Sequence, residues 1–588
     1  MSIKPTKAGR RASGRSGADN AKALRREILS ITRSPGFADY LRGLLIELCR
    51  VDTTPSPEIA RMRAAEDACF KILERELGTL EFPDKRLERL PINPAIQEHE
   101  NFSLLHFTKT ARRPKGLPAE QTYKGRTNLV CVLPGSGGEG GLSLALNAHI
   151  DVVAPYFAPS VKGGTIFGRG SCDDKGPVVG IVGALKVLSQ ALARTGIQLN
   201  RNVTGMFVVE EETGGNGSLS LAIDRKLKGL YESIMVCECT GLKVHPANRG
   251  AVWYKAVIAA PKGISAFELF AFVNEEMEKE GAAIRTESHH PLFPQRPVQT
   301  CHGMIGLFGE HPSRICGEVV FRMDFPQKPD ERVRRLLEDC LQSGLASYVG
   351  MYGDKTAVID PSTGKPMVKA HYDLSDRGNS VVVRVHGATG HMGAIRERDG
   401  AITKMAHLVR SLVRSRGRLE SIGGGKVRIQ LEGASVPASL VLEGGQGFVP
   451  THTIREVMDR LRRAAERGAE NYLRRVGSRV EGRKVITVTY EKLHNVAFDG
   501  DAASPSMKNA LTAAKMSRLP AQEPVLGWTV SCDARLFATE YPDMPVLTFG
   551  PGLLAHAHSD REQVELEDIR AAAEFLAQFI LLQTGTSR

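Results

Sequence analysis

Three things are scarce in this 588-residue chain, and each scarcity excludes a class. Cysteine is sparse, with ten residues, too few for a disulfide framework. The one close pair, Cys237 and Cys239, has no second Cys pair or histidine at zinc-finger spacing. Both are read as packing residues, and the chain as a cytoplasmic protein of a reducing compartment. Long apolar runs are missing as well. No stretch reaches eighteen residues, which argues against a membrane-spanning helix. Acidic residues are nearly absent at the start. Within 1–26, eight Lys and Arg residues face only Asp19, a net +7 of the chain's +12. The basic charge is therefore mostly a tail, expected to be disordered, and a nucleic-acid partner is not expected. No apolar segment follows as in a secretory signal.

What is present is ordinary for a soluble globular protein: 42% hydrophobic and 24% charged residues. At ~100–200 residues per domain, the length predicts more than one domain. Residues 27–50 read as an opening helix with Leu41, Leu44, Leu45 and Leu48 on one stripe, and a second helix is expected near 57–77. From 126 onward, apolar strands (TNLVCVL, LSLALNAHID, VTGMFVV, SIMVCE) alternate with helices. That rhythm belongs to a mostly parallel sheet with helices on both faces. It lapses between 252 and 498, where strands and separate helices suggest an inserted α+β lid or dimerisation domain. It resumes at 499–588. The expected organisation is a tail (1–26), an α/β catalytic domain in two segments (27–251 and 499–588) and an insertion (252–498). No internal repeat is visible.

Polar residues gather where predicted strands end, the place where open α/β sheets bind ligands. His149 and Asp151 lie two apart, so both face one side of an extended chain, and a carboxylate there can orient a metal-binding histidine. Asp173 follows a glycine-rich loop and could bridge two metal ions. Glu210, Glu211 and Glu212 repel one another unless solvated or neutralised by a cation. Glu238 ends another apolar strand. His556 and His558 follow MPVLTFG. A His, Asp and Glu donor set suits zinc, manganese or cobalt.

The stretches NAHIDVV, GRGSCDDKGP, VVEEETGGNGS, CECTG, GATGHMG, SCDAR and FGPG…AHSDRE closely resemble the dizinc peptidase and deacylase family of glutamate carboxypeptidase, aminoacylase, acetylornithine deacetylase and succinyl-diaminopimelate desuccinylase. The resemblance implies two divalent metal ions, with zinc favoured over cobalt or manganese. One would be held by His149, Asp173 and Glu238, the other by Asp173, Glu212 and His558. Asp151 would orient His149, and Glu211 would be the general base of amide hydrolysis. His558 is preferred over His556 because the family's histidine lies four residues before a glutamate, here Glu562. His391, in GATGHMG, resembles a lid histidine that reaches the partner subunit's active site in dimeric members, so a homodimer is expected. Arg535, in SCDAR, resembles a residue that binds a substrate carboxylate, which makes the substrate a peptide or N-acyl amino acid. The insertion is longer than the family's usual lid, and extra material is expected near 256–376. Hydrolysis of a non-peptide C–N bond is the alternative chemistry, and a basic binding protein is the alternative from a different class.

Overall fold

The computed structural model describes residues 12–294, 299–360, 363–395, 398–433, 438–490 and 494–587. The near-continuous apolar runs form the parallel centre of a six-stranded sheet. In spatial order these strands are Val203–Val208, Leu144–His149, Ser233–Cys237 and Val546–Phe549. Every residue in them is buried, which is why they read as runs rather than alternations. Thr127–Leu133 and Arg86–Pro91 add two antiparallel strands at one edge. The helices Lys175–Thr195 and Leu566–Thr584 pack together over one face, around Ile181, Leu185, Phe575 and Phe579. Lys175–Thr195 is long and apolar enough to cross a membrane, but its apolar positions are buried against the sheet and its neighbours. A second cluster with Val130, Met206, Val236 and Phe537 covers the other face.

Two expectations at the start of the chain are corrected. The helix predicted over 27–50 is two helices, Ala12–Thr32 and Pro35–Cys49. Pro35 has no N–H to continue a helix but suits the first turn of a new one. The disordered tail predicted for 1–26 does not extend that far. Its first eleven residues lie outside the described ones, but Ala12–Thr32 is helical, and Leu24 and Ile28 are fully buried in the catalytic core. The basic residues in this helix masked its apolar stripe.

The chain leaves the catalytic domain through a two-stranded neck, where Ala247–Asn248 pairs with Phe498–Asp499. Beyond it, the lid contains a repeat that the sequence did not reveal. The outer unit runs Gly250–Ala259, Ala266–Glu287, Thr300–Ile305, then Ser439–Phe448, Ile454–Arg475, Ile486–Thr489. The nested unit sits between its halves: Glu318–Asp324, Glu331–Tyr352, Tyr372–Arg377, Ser380–His386, Ala401–Arg414, Arg428–Leu431. Each is strand, helix, strand, strand, helix, strand, and each antiparallel sheet has the spatial order second, third, first, fourth. The units share one apolar core, and Arg410 of the nested unit donates to the Ala271 carbonyl of the outer one at 3.1 Å. The range 256–376, where extra material is expected, cuts across both units, and the nested unit runs 318–431. Its last two strands and second helix lie past 376 because they complete the unit's own sheet. Topology repeats here while side chains do not, since a sheet-and-helix layer needs only the apolar pattern and not particular residues.

Candidate dimetal site

The carboxyl ends of the parallel strands carry the candidate residues, as the strand direction requires. His149 is the last residue of its strand and Glu238 immediately follows Ser233–Cys237. The three adjacent acids follow Val203–Val208, Asp173 lies just before the helix Lys175–Thr195, and His558 lies in the loop beyond Val546–Phe549.

The three consecutive acids go three separate ways. Glu210 turns away from the site into a buried cluster, pairing with Arg126 and accepting from the Tyr123 hydroxyl at 2.9 Å. Glu212 Oε1 lies 3.0 Å from His558 Nε2. Glu211 Oε2 lies 4.0 Å from His149 Nε2, and its side chain is the most exposed of the three at 15%. Asp151 holds this loop in place. Its two carboxylate oxygens accept the backbone N–H groups of Glu211 and Glu212 at 3.2 and 3.0 Å. His149 Nδ1 lies 3.0 Å from the Asp151 carbonyl and 3.4 Å from its carboxylate, so Asp151 fixes the imidazole and the acid loop together.

Two donor groups result, and they share Asp173. His149, Asp173, Asp174 and Glu238 present ligand atoms all within 4.8 Å of one another, and so do Asp173, Glu212 and His558. Asp173 turns Oδ1 to His149 Nε2 at 3.2 Å and Oδ2 to His558 Nε2 at 3.3 Å. Asp174 is an addition to the expected set; its Oδ2 also accepts the His149 N–H at 3.1 Å. These residues fit a pair of divalent cations. His149 Nε2 is buried with no hydrogen-bond partner, although carboxylates surround it. Burial, followed by the charges of Asp174, Asp173 and Glu211, holds the Glu238 carboxyl well above its ordinary pKa. Burial raises Glu211 likewise, with Asp533, Glu212 and Asp173 adding to it against His149. Burial disfavours a charged His558, but Glu212 and Asp173 overcome it and push the imidazole up to about 10. So many enclosed carboxylates are costly unless cations neutralise them.

Residues 145–582, roughly three quarters of the chain, match the profile of Peptidase family M20/M25/M40. The chain belongs to that family. It is 30% identical over 150 residues to an M20 domain-containing protein of Schizosaccharomyces pombe, covering 24% of this chain and 35% of that protein. It is 37% identical over 107 residues to N-formyl-4-amino-5-aminomethyl-2-methylpyrimidine deformylase of Halalkalibacterium halodurans, covering 17% and 24%. The chain therefore matches only about a quarter to a third of the length of these curated relatives. Two solved structures share its fold end to end. The di-peptidase Dug1p from Saccharomyces cerevisiae has a TM-score of 0.54 at 14% identity, over 96% of this chain and 98% of that one. Human carnosine dipeptidase 1 has a TM-score of 0.55 at 12% identity, over 95% and 98%.

Two expectations drawn from family resemblance change within this M20 chain. His391 was expected to reach a partner's site. Instead its ring lies 4.6 Å from that of His558 in the same chain, because the nested unit folds the GHMG loop back over its own catalytic domain. Arg535 was expected to bind a substrate carboxylate. It is only 2% exposed and donates to the Gly214 carbonyl at 2.8 Å behind the acid loop, beside Asp533. It braces that loop, with its Nε buried and without a hydrogen-bond partner. Another buried guanidinium near the site is Arg314, which pairs with Glu310 and with Asp560, two residues from His558. Arg314 lines a cavity of ≈ 720 Å³ together with His556, Asp560, Lys365 and Arg398.

The sequence also understated Glu562, used only as a spacing marker for His558. One oxygen, Oε1, accepts the N–H groups of Gly170, Cys172 and Asp173 at 3.0, 3.1 and 2.9 Å, while the carboxylate pairs with fully buried Arg169. The fixed four-residue spacing is thus mechanical: Glu562 shapes the loop that presents Asp173. Glu562→Ala leaves a buried guanidinium and three amides unpaired, and is expected to cost ~3–5 kcal/mol. Urea denaturation checks this, and an unchanged midpoint would refute the role.

Proposed function

We propose that this protein is a dimetal amidohydrolase that cleaves a peptide or N-acyl amino acid next to a free carboxylate. The observation that carries the reading is the pair of donor groups sharing Asp173, with Glu211 beside them. His149, Asp173, Asp174 and Glu238 would hold one divalent ion, and Asp173, Glu212 and His558 the other. The mixed nitrogen and oxygen donors favour zinc, with cobalt or manganese as substitutes. When bound, the ions supply Lewis-acid polarisation of the scissile carbonyl and a water of lowered pKa.

The chain's own groups supply the rest. Glu211 takes the proton of the attacking water on its carboxylate and passes it to the leaving amine. Its raised basicity suits that task. The Gly393 N–H donates to His391 Nδ1 at 2.9 Å. This places the ring proton on Nε2, free to donate to the developing oxyanion. Burial and then His558 hold His391 well below its ordinary pKa, consistent with a neutral donor. The exposed cations Lys365, Lys369 and Arg561 of the ≈ 720 Å³ cavity are suited to the substrate's carboxylate. Because His391 reaches the site within its own chain, the reading needs no homodimer to complete it. All ten cysteines are free and buried, which supports a cytoplasmic location.

Metal analysis tests the reading. Two divalent ions per chain are expected by elemental analysis. Chelation should remove activity on dipeptides and N-acyl amino acids, and zinc should restore it. Activity that survives complete metal removal would overturn the proposal. The deformylase relative supports the second reading, cleavage of an N-formyl or similar C–N bond outside peptides, so N-formyl amines belong in the same assay.

A further inference from the structure

A smaller pocket, of ≈ 220 Å³, opens directly onto Glu212 and Thr213. Its walls come from distant parts of the chain. Pro55, Leu104, Phe107 and Val153 form an apolar side on the catalytic domain, and Glu310 and His311 close it from the lid. The lid residues belong to the segment that joins the outer and nested units, between Thr300–Ile305 and Glu318–Asp324. That segment is anchored to the reacting centre. His311 Nδ1 meets Ser313 Oγ at 2.6 Å, and Ser313 Oγ lies 3.5 Å from His558 Nδ1. The Met392 N–H donates to the Ser313 carbonyl at 2.7 Å, which ties the segment to the GHMG loop. The pocket therefore exists only where the nested unit sits over the site, and its mouth lies beside a metal-ligand candidate.

Its chemistry contrasts with that of its surroundings. The dimetal site and the ≈ 720 Å³ cavity are lined with charged groups, whereas this recess is mostly hydrocarbon. Leu104 stands at it 50% exposed. A single exposed leucine is unremarkable on an ordinary surface. Beside an apolar recess that opens onto a metal-ligand candidate, it is a surface that a ligand would cover. Size sets a limit on the occupant, since a cavity of about 150 Å³ lined by apolar side chains already holds benzene.

We propose that this pocket receives an apolar side chain or acyl chain of the substrate, leucine- to phenylalanine-sized, with Leu104 and Phe107 setting its dimensions. The inference rests on the amide-hydrolase reading above and names the substrate class within it. Filling the pocket removes hydrocarbon from water at the transition state, while charged or minimal side chains gain nothing there.

The test uses the metal-loaded full-length protein and two series, Xaa-Gly dipeptides and N-acetyl-Xaa, with Xaa as Gly, Ala, Leu, Phe, Lys or Asp. In at least one series, kcat/KM is expected to rise about tenfold or more from Gly to Leu or Phe, within the range that hydrophobic pockets deliver. The Leu104→Trp variant fills the recess from an exposed position, where the added ring does not disturb the core. It is expected to lower the Leu-to-Gly ratio of kcat/KM about tenfold or more, with metal content and melting temperature matching the parent. A flat profile, a preference for Lys or Asp, or an unchanged ratio in the variant would overturn the pocket assignment while leaving the hydrolase reading intact. Absence of hydrolysis across both series, with two metals bound, would instead overturn the hydrolase reading beneath it.

Discussion

Exchanging Glu211 for Gln is expected to lower kcat by ~10²–10⁴-fold while both metal ions stay bound. The three consecutive acids differ in what they touch, and that decides which one acts on substrate. Glu210 is committed to Arg126 and Tyr123, and Glu212 to His558. Glu211 has no such partner; its nearest cation is His149 at 4.0 Å. Its carboxylate is 15% exposed against 3% for Glu210 and 6% for Glu212, so a water can reach it. Glutamine keeps the shape and the Asp151 contact, which runs to the backbone N–H, but it cannot accept a proton. The comparison variant is Glu212→Gln, which should lose metal at the His558 group. Full turnover by Glu211→Gln with two metals bound would remove Glu211 from the mechanism. Loss of metal would make it a ligand instead of a base.

Removing His391 is expected to cost ~10²–10³-fold in kcat, the range for deleting one oxyanion donor, with a smaller effect on KM. A mixing experiment distinguishes where that histidine acts. A His391→Ala chain mixed with an Asp173→Asn chain would regain activity if lid and site came from different subunits, because one hybrid site would carry both intact residues. The contact between His391 and His558 within one chain predicts no recovery. Recovery after mixing would show that the GHMG loop works across an interface.

The candidate ligand positions stood out because most lie near the end of an apolar run. Strand direction brings His149, the acidic triplet and Glu238 to one edge of the sheet, while the choice of ligands among them came from the family resemblance. Asp173 and His558 needed the motif order, and the spacing of His558 to Glu562 turned out to have a mechanical cause, the clamp on the Asp173 loop. Glu210 is the instructive case. It lies in the same acidic triplet as Glu211, yet Arg126 and Tyr123, far away in sequence, draw it out of the site. Arg535 failed for the same kind of reason. Its residue type suits a carboxylate, but Gly214 and Asp533 enclose it, and enclosure is a property of tertiary packing. The amino-terminal helix was hidden by composition, since four basic residues within it and four ahead of it obscured the stripe through Leu24 and Ile28 that docks on the core.

The sequence alone determined the class of sheet, the donor types and their order along the chain, because hydrophobic periodicity and strand direction are local properties. Only the tertiary structure decided how many copies of the lid unit exist, which lid histidine meets His558, which acids face the site, and where an apolar side chain could rest beside it. Those depend on which distant segments pack together. The nested unit shows this most directly: the same topology is drawn twice from unrelated side chains, so nothing in the order of residues announces it. With ten buried cysteines and no disulfide among them, the lid and the catalytic domain rely on apolar cores and buried ion pairs, with the proposed metal pair set at the ends of the parallel strands.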